Sequence, residues 1–188
     1  MGKLFLTTDR LTIRNLKSED LELFYQYRSN PKVTKYQGFD VMNEEDAKLF
    51  IANQTDKTFG KPGEWVQYGI EDMSTNNLIG DCAIKLDGND ARMAEIGITI
   101  SHLHHKKGFA KEAMIGILQF LFDIRNIHRV VETVDAENIA SINLMKSIGF
   151  RQEGIFIENF FFKGKWSSEI QFAMLNREWN NNINRHNK

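Results

Sequence analysis

The chain has 188 residues, with 24 Lys and Arg against 25 Asp and Glu, a formal net charge of −1, 41% hydrophobic and 26% charged residues. That length holds one domain with a sizeable core, and the composition sits near the globular average, which excludes a disordered or low-complexity chain. The balanced charge excludes a broadly basic nucleic-acid binder, because phosphate affinity needs concentrated Lys and Arg; no DNA partner is expected.

Leu4, Phe5 and Leu6 before Thr7 are too few apolar residues for a signal-peptide core. No run approaches the roughly 18 apolar residues of a membrane span, so a cytoplasmic chain without a membrane partner is expected. A first strand covers Arg10 to Asn15. Ser18-Glu19-Asp20 opens a helix that carries Leu21, Phe24 and Tyr27 and stops at Asn30-Pro31. Asn43 to Asp46 opens a second helix with Ala47, Phe50 and Ile51 on one side. Strands follow at Trp65 to Ile70, Leu78 to Leu86 and Met93 to Ser101, separated by turns at Ser74–Asn77 and Asp87–Asp90.

From Ala110 to Arg125, Ala113, Ile117, Phe120, Leu121 and Ile124 recur at helical spacing. A strand covers Arg129 to Val134. Asn138 caps a helix with Ile139, Ile142, Met145 and Ile148 on one side, and Gly149 suits its left-handed end. Strands at Phe150–Phe162 and Trp166–Leu175 flank a hairpin turn at Lys163-Gly164-Lys165. The order β-α-α-β-β-β-α-β-α-β-β describes an α+β (mixed α/β) domain on one central sheet over 1–179, followed by a polar, frayed tail over 180–188.

The segment His104-His105-Lys106-Lys107-Gly108-Phe109-Ala110 lies between a strand and a long helix. A helix start offers unpaired N–H groups and a positive dipole end, both suited to phosphate, and Gly108 lets the backbone approach an anion. On its own it is equally an ordinary solvated loop; neither a Walker loop nor a dinucleotide fingerprint is present. His102, His104 and His105 lack a Cys or a second His cluster to complete a metal site, so no metal is expected. Cys82, the one cysteine, reads as a packing residue. Phe156, Phe160, Phe161 and Phe162 read mainly as core or interface, with one edge available to line an acceptor groove.

Several ordered motifs carry a resemblance. Ala94-Glu95-Ile96-Gly97-Ile98-Thr99-Ile100, then His105-Lys106-Lys107-Gly108-Phe109-Ala110-Lys111-Glu112-Ala113, resembles the acetyl-CoA-binding motif of the GCN5-related N-acetyltransferases. Asn138-Ile139-Ala140-Ser141, Lys146-Ser147-Ile148-Gly149-Phe150 and Glu153-Gly154 resemble that family's next motif. Gly164-Lys165-Trp166, Arg177-Glu178-Trp179 and the opening Asp9-Arg10-Leu11-Thr12-Ile13-Arg14 also fit. The branch that looks most similar is the ribosomal-protein-alanine N-acetyltransferase-like group. The resemblance implies a mostly antiparallel sheet of about seven strands with a splayed parallel pair, flanked by about four helices.

It also implies a chemistry: an amine attacks the thioester of acetyl-CoA directly, so the site must accept a proton, stabilise an oxyanion and release a thiolate. By resemblance, Ile98, Thr99 and Ile100 hold the pantetheine, with the Ile98 N–H polarising the carbonyl. His105, Lys106, Lys107, Gly108, Phe109, Ala110 and Lys111 hold the diphosphate. Asn138 and Ser141 contact the cofactor, Ser141 near its sulfur, and Glu95 is the general base, directly or through water. Glu95 is equally a strand carboxylate facing water, and Ser141 equally a structural residue of a first helical turn.

Two positions depart from the family pattern. His105 and Lys106 stand where Gln or Arg, then Gly, are usual, and Met145 stands where many members place a proton-donating Tyr. The acceptor is an amine, either a protein N-terminal α-amine or a small molecule such as a polyamine or aminoglycoside. The segment from Asn30 to Phe39, with Lys32, Lys35 and Tyr36, is expected on the acceptor side. A CoA-binding regulatory module without turnover is the alternative to an enzyme. The final hairpin is a place where a homodimer could form, again by resemblance.

Overall fold

The computed structural model describes residues 3–186, with side chains described through residue 181. The strands are β1 (Phe5–Thr7), β2 (Leu11–Asn15), β3 (Trp65–Asp72), β4 (Asn77–Leu86), β5 (Met93–Ile100), β6 (Arg129–Asp135), β7 (Arg151–Phe162) and β8 (Lys165–Leu175). They form one sheet in the order β1-β2-β3-β4-β5-β6-β8-β7. Every neighbouring pair is antiparallel except β5 and β6. The helices are α1 (Leu21–Arg28), α2 (Pro31–Thr34), α3 (Glu44–Gln54), α4 (Phe109–Gln119, continued by a π turn Phe120–Ile124), α5 (Ile139–Ile148) and α6 (Asn176–His186).

The local signals act as the sequence implies. Asn43 accepts a hydrogen bond from the Asp46 N–H at 2.8 Å and so caps α3, while Asn138 accepts from the Ser141 N–H at 3.2 Å and caps α5. Gly149 ends α5 with φ of 99°. Three elements were not expected: β1, the short α2 whose Asn30 cap had read only as a stop, and α6. The stretch read as a frayed polar tail continues α6 as far as His186, and residues 187–188 lie outside those described.

Two helical layers cover opposite faces of the sheet. The larger core packs Ala113, Met114, Ile117 and Leu121 of α4, with Ile142, Met145 and Ile148 of α5, against alternate strand residues such as Cys82, Ile84, Ala94, Ile96 and Val130. The smaller one gathers Leu16, Phe24, Tyr27, Ala47, Ile51 and Leu78 under α1 and α3. Asp81, next to Cys82 and so on the opposite face, is fully buried beneath α1. It accepts from the Tyr27 hydroxyl at 2.5 Å, from the Arg28 guanidinium and from the Gln67 amide. Burial pushes the Cys82 thiol pKa well above its ordinary value, the field of Asp81 adding to it, which agrees with a packing role.

One pairing matters most for function. The parallel register of β5 and β6 runs only through Met93–Arg129, Ala94–Val130 and Glu95–Val131. Beyond Glu95 and Val131 the strands diverge. The edge of β5 from Ile96 to Ile100 therefore faces a V-shaped gap with no strand against it.

Candidate active site

The gap opens into a cavity of about 1180 Å³. Its lining includes Glu95 and Gly97, on the α1 side of β5, together with Ile96 and Glu132, on the α4 side. Residues of both faces bound one space, so the opening passes through the sheet. A Cβ built on Gly97 would meet nothing within 4 Å, as befits a position on the cavity wall.

On the α4 side the wall is the loop leading into α4. Lys106 has φ of 61° and Gly108 φ of 83°. The conformation that favours glycine is thus present at Lys106, although a lysine occupies it at a cost of about 1–2 kcal/mol. His105 donates from Nε2 to the Ile100 carbonyl at 2.9 Å, which ties the loop to the end of β5 and fixes the ring's tautomer. Gly108 precedes the helix and no side chain caps it, so the first-turn amides of Phe109, Ala110 and Lys111 are open to an anion. Burial, reinforced by the charge of Lys107, lowers the pKa of His104 beside this loop.

Arg10 holds this loop from behind. Its Nε donates to Glu112 at 2.7 Å, its Nη1 to the Lys107 carbonyl at 3.2 Å, and its guanidinium lies 4.5 Å over the Phe109 ring. Glu112 also accepts from the Thr8 hydroxyl at 2.6 Å and the Arg10 N–H at 2.8 Å. Burial raises the Glu112 pKa, but these hydrogen bonds prevail and hold it below the usual carboxylate value. The Asp9-Arg10-Leu11 motif thereby has a physical role that the sequence reading did not assign.

Asn138 and Ser141 at the start of α5 line the same cavity, as do Ile98, Thr99, Ile100, His105, Lys106, Gly108, Phe109, Ala110 and Lys111. Lys107 is exposed and does not line it. The Asn138 amide oxygen is occupied by the Ser141 N–H. Met145 is fully buried in the core and offers no donor.

On the α1 side, Glu95 pairs with Lys85 at 2.5 Å, and Lys85 lies 4.6 Å over the Trp65 ring. The expected acceptor segment contributes Lys32, Lys35, Tyr36, Gln37 and Gly38, whereas Phe39 turns away to stack against Arg28 at 4.2 Å. Phe160 and Phe162 complete this mouth, stacked on each other at 5.5 Å. The phenylalanine run is not core: Phe156, Phe160 and Phe161 are exposed, because the outer hairpin has no layer above it. Lys163 at the hairpin tip donates to the Thr34 carbonyl at 2.7 Å, tying the hairpin to α2 across the mouth. Trp65 and Glu132 were missed in the sequence. For Glu132 a signal existed, since in alternating Val130-Val131-Glu132-Thr133-Val134 it takes the buried side with Val130 and Val134.

The split sheet, the open helix start and the through-going cavity suit a protein that takes a long, anion-bearing ligand on one face and a second substrate on the other. A family model described as an acetyltransferase (GNAT) domain matches residues 10–151. The chain is 36% identical over 176 residues to an uncharacterised N-acetyltransferase, YnaD, of Bacillus subtilis, covering 93% of this chain and 99% of that one. It is 28% identical to a spermidine N(1)-acetyltransferase of Vibrio cholerae, over 92% of this chain and 96% of that protein. Its fold matches the crystal structure of an acetyltransferase (GNAT family) from Bacillus anthracis with a TM-score of 0.83 at 28% identity, covering 93% and 99% of the two chains. The chain belongs to the GNAT family, and it is an acetyl-CoA-dependent N-acetyltransferase. Among the described residues no helix is long and apolar enough to cross a membrane, and no three His, Cys, Asp or Glu side chains gather as a metal site would require.

Proposed function

We propose that the acceptor is the α-amine of a peptide or protein N-terminus, acetylated by direct attack. The observation that carries this reading is the charge at the acceptor mouth. Glu95 is taken by Lys85 at 2.5 Å, Glu137 by Lys165 at 2.9 Å, and Glu169 accepts from Asn159 at 2.6 Å. Lys32, Lys35 and Lys163 line the same mouth. A polyamine brings a second ammonium that is best met by a carboxylate without a cation. Glu95 and Glu137 already have lysine partners, and Asp135 and Glu169, which accept from the Glu137 N–H and the Asn159 amide, are outnumbered by the three lysines of the mouth. An N-terminal residue brings one amine and a side chain for the rings of Tyr36, Trp65, Phe160 and Phe162.

Acetyl-CoA supplies an acyl group on a thiol leaving group. The residues present fit it: the unpaired edge at Ile98, Thr99 and Ile100 offers backbone groups to an extended amide chain, and the Lys106–Lys111 segment offers amides and charge to a diphosphate. Asn138 and Ser141 flank that path, and the Ser141 hydroxyl, without a hydrogen-bond partner among the described residues, is free to donate. Glu95 keeps one oxygen on Lys85 and offers the other to the amine or to a water next to it. An α-amine with a reference pKa of about 7.7–8.0 needs only a modest base, which favours it over a lysine side chain near 10.4.

The relative named for spermidine keeps a polyamine as the second reading. Thiol release from acetyl-CoA, with mass spectrometry of the product, separates the two. Turnover of free-amine peptides that is lost when the α-amine is blocked supports the proposal, and replacing Glu95 with Gln then lowers kcat about 10²-fold. Turnover of spermidine but not peptides overturns the acceptor assignment. CoA binding without turnover of any amine leaves a binding module.

A further inference from the structure

Glu132 stands apart from the other cavity residues. It lies on the core side of β6 and is 6% exposed. Its Oε2 touches no solvent and has no hydrogen-bond partner among the described residues. Val131 is the last residue of β6 paired with β5, so Glu132 is the first residue past the split, and it lines the cavity there. Leaving a buried carboxyl unpartnered costs stability, and a position wanted only for packing would carry an aliphatic residue, as Val130 and Val134 do on either side. Burial, with the charge of Glu95 added, pushes the Glu132 pKa well above its ordinary value and so favours the protonated form.

We propose that Glu132 is the acid that protonates the departing thiolate. This rests on the acetyl-transfer reading above. The C–N bond forms as the thioester C–S bond breaks, and the electron pair of the broken bond stays on sulfur, which takes the Glu132 proton. The surplus proton on the nitrogen passes to the Glu95 carboxylate, or to water beside it, and returns through water to Glu132 before the next turnover. The two carboxyl groups are coupled in the useful direction. The charge of Glu95 adds to burial in favouring the neutral form of Glu132; once Glu95 takes the amine's proton, that added opposition falls away as the sulfur needs a proton. The role also supplies what Met145, buried and without a donor, does not.

The test compares Glu132→Gln and Glu132→Leu with the parent in the full chain. With a working acceptor, kcat falls about 10²-fold or more while the KM for acetyl-CoA stays close to the parent's. The unfolding temperature holds or rises, because a buried unpartnered acid has been removed. An acetyl thioester with a more acidic thiol brings Glu132→Gln back toward the parent rate. Infrared spectroscopy provides a readout without turnover: the parent shows a protonated-carboxyl C=O band at neutral pH that shifts on CoA binding and is missing in Glu132→Gln. Parent-like turnover in Glu132→Gln, or a parent lacking that band, overturns the role of Glu132 alone. A parent that binds CoA, leaves the band unshifted and acetylates nothing overturns both readings.

Discussion

Replacing Arg10 with Ala isolates the clamp behind the α4 loop. The lost contacts are the ion pair to Glu112 at 2.6 Å, the hydrogen bond to the Lys107 carbonyl and the stacking on Phe109. The Arg10 side chain is 49% exposed and that of Glu112 17%, so solvent screens the pair and its share is about 0.5–1 kcal/mol. The cation over the ring adds about 0.5–1 kcal/mol. Glu112 keeps the Thr8 hydroxyl and the Arg10 N–H, so no buried charge is orphaned. The total is about 1–2 kcal/mol, which lowers the melting temperature by about 2–8 °C in a chain of this size. The same loss falls on the segment offered to the diphosphate, so the KM for acetyl-CoA should rise about 5–30-fold with kcat within about twofold. Steady-state kinetics over a range of acetyl-CoA, with calorimetric CoA binding, reads the split. Arg10→Lys restores the charge but not the fork, so it should recover only part of the binding. A melting temperature lowered as stated with an unchanged KM would refute the coupling of clamp to loop.

Asp81→Asn removes the charge that balances Arg28, whose side chain is 3% exposed. Stranding that guanidinium should cost about 3–5 kcal/mol, seen as an earlier midpoint in urea unfolding; a loss below about 1 kcal/mol would show the network to be dispensable. Glu153 joins β6, β7 and α6: hydrogen bonds from Arg129, and then from Arg151, lower its pKa to about 2, and Arg151 also pairs with Glu178. Its folded-state pKa lies below the unfolded value of about 4.3, so its contribution is complete above that value and disappears as pH falls through about 2. Glu153→Gln should therefore flatten the loss of stability between about pH 5 and 2, and equal acid slopes for variant and parent would exclude the assignment.

Much of the scaffold is legible because the signals are local. Asn43, Asn138 and Gly149 act within one helical turn of their own positions, and period-two patterns mark β3 to β5. The helix from Ala110 to Arg125 is also visible, but apolar spacing does not separate an α from a π turn, so the change at Phe120 is not. β1 is three residues with one side in solvent, too short for a periodic signal. The splay of β5 from β6 comes from resemblance, because strand patterning says nothing about where pairing stops. Glu95 and Ser141 are found on the cavity from motif positions alone, yet the Lys85 partner of Glu95 is set by cross-strand register. For Phe156 to Phe162 the core reading fails because an outer strand without a covering layer leaves aromatic residues exposed, whereas Phe160 and Phe162 do line the acceptor mouth.

β7 is that outer strand, and its free side would be an open template for another chain's backbone. Twelve residues long and bearing exposed Ile155, Ile157 and Phe161, it has the composition from which intermolecular sheets grow. Its register against β8 shifts between Gln152 and Gly154 and again between Phe156 and Phe160. At the second shift Glu158 takes φ of 46°, and its N–H donates to the Ser168 hydroxyl at 2.9 Å. An incoming strand would therefore find matching donors and acceptors for only two or three residues at a time before the edge turns away. The bends that carry Lys163 over to α2 also leave this edge a poor seed for aggregation.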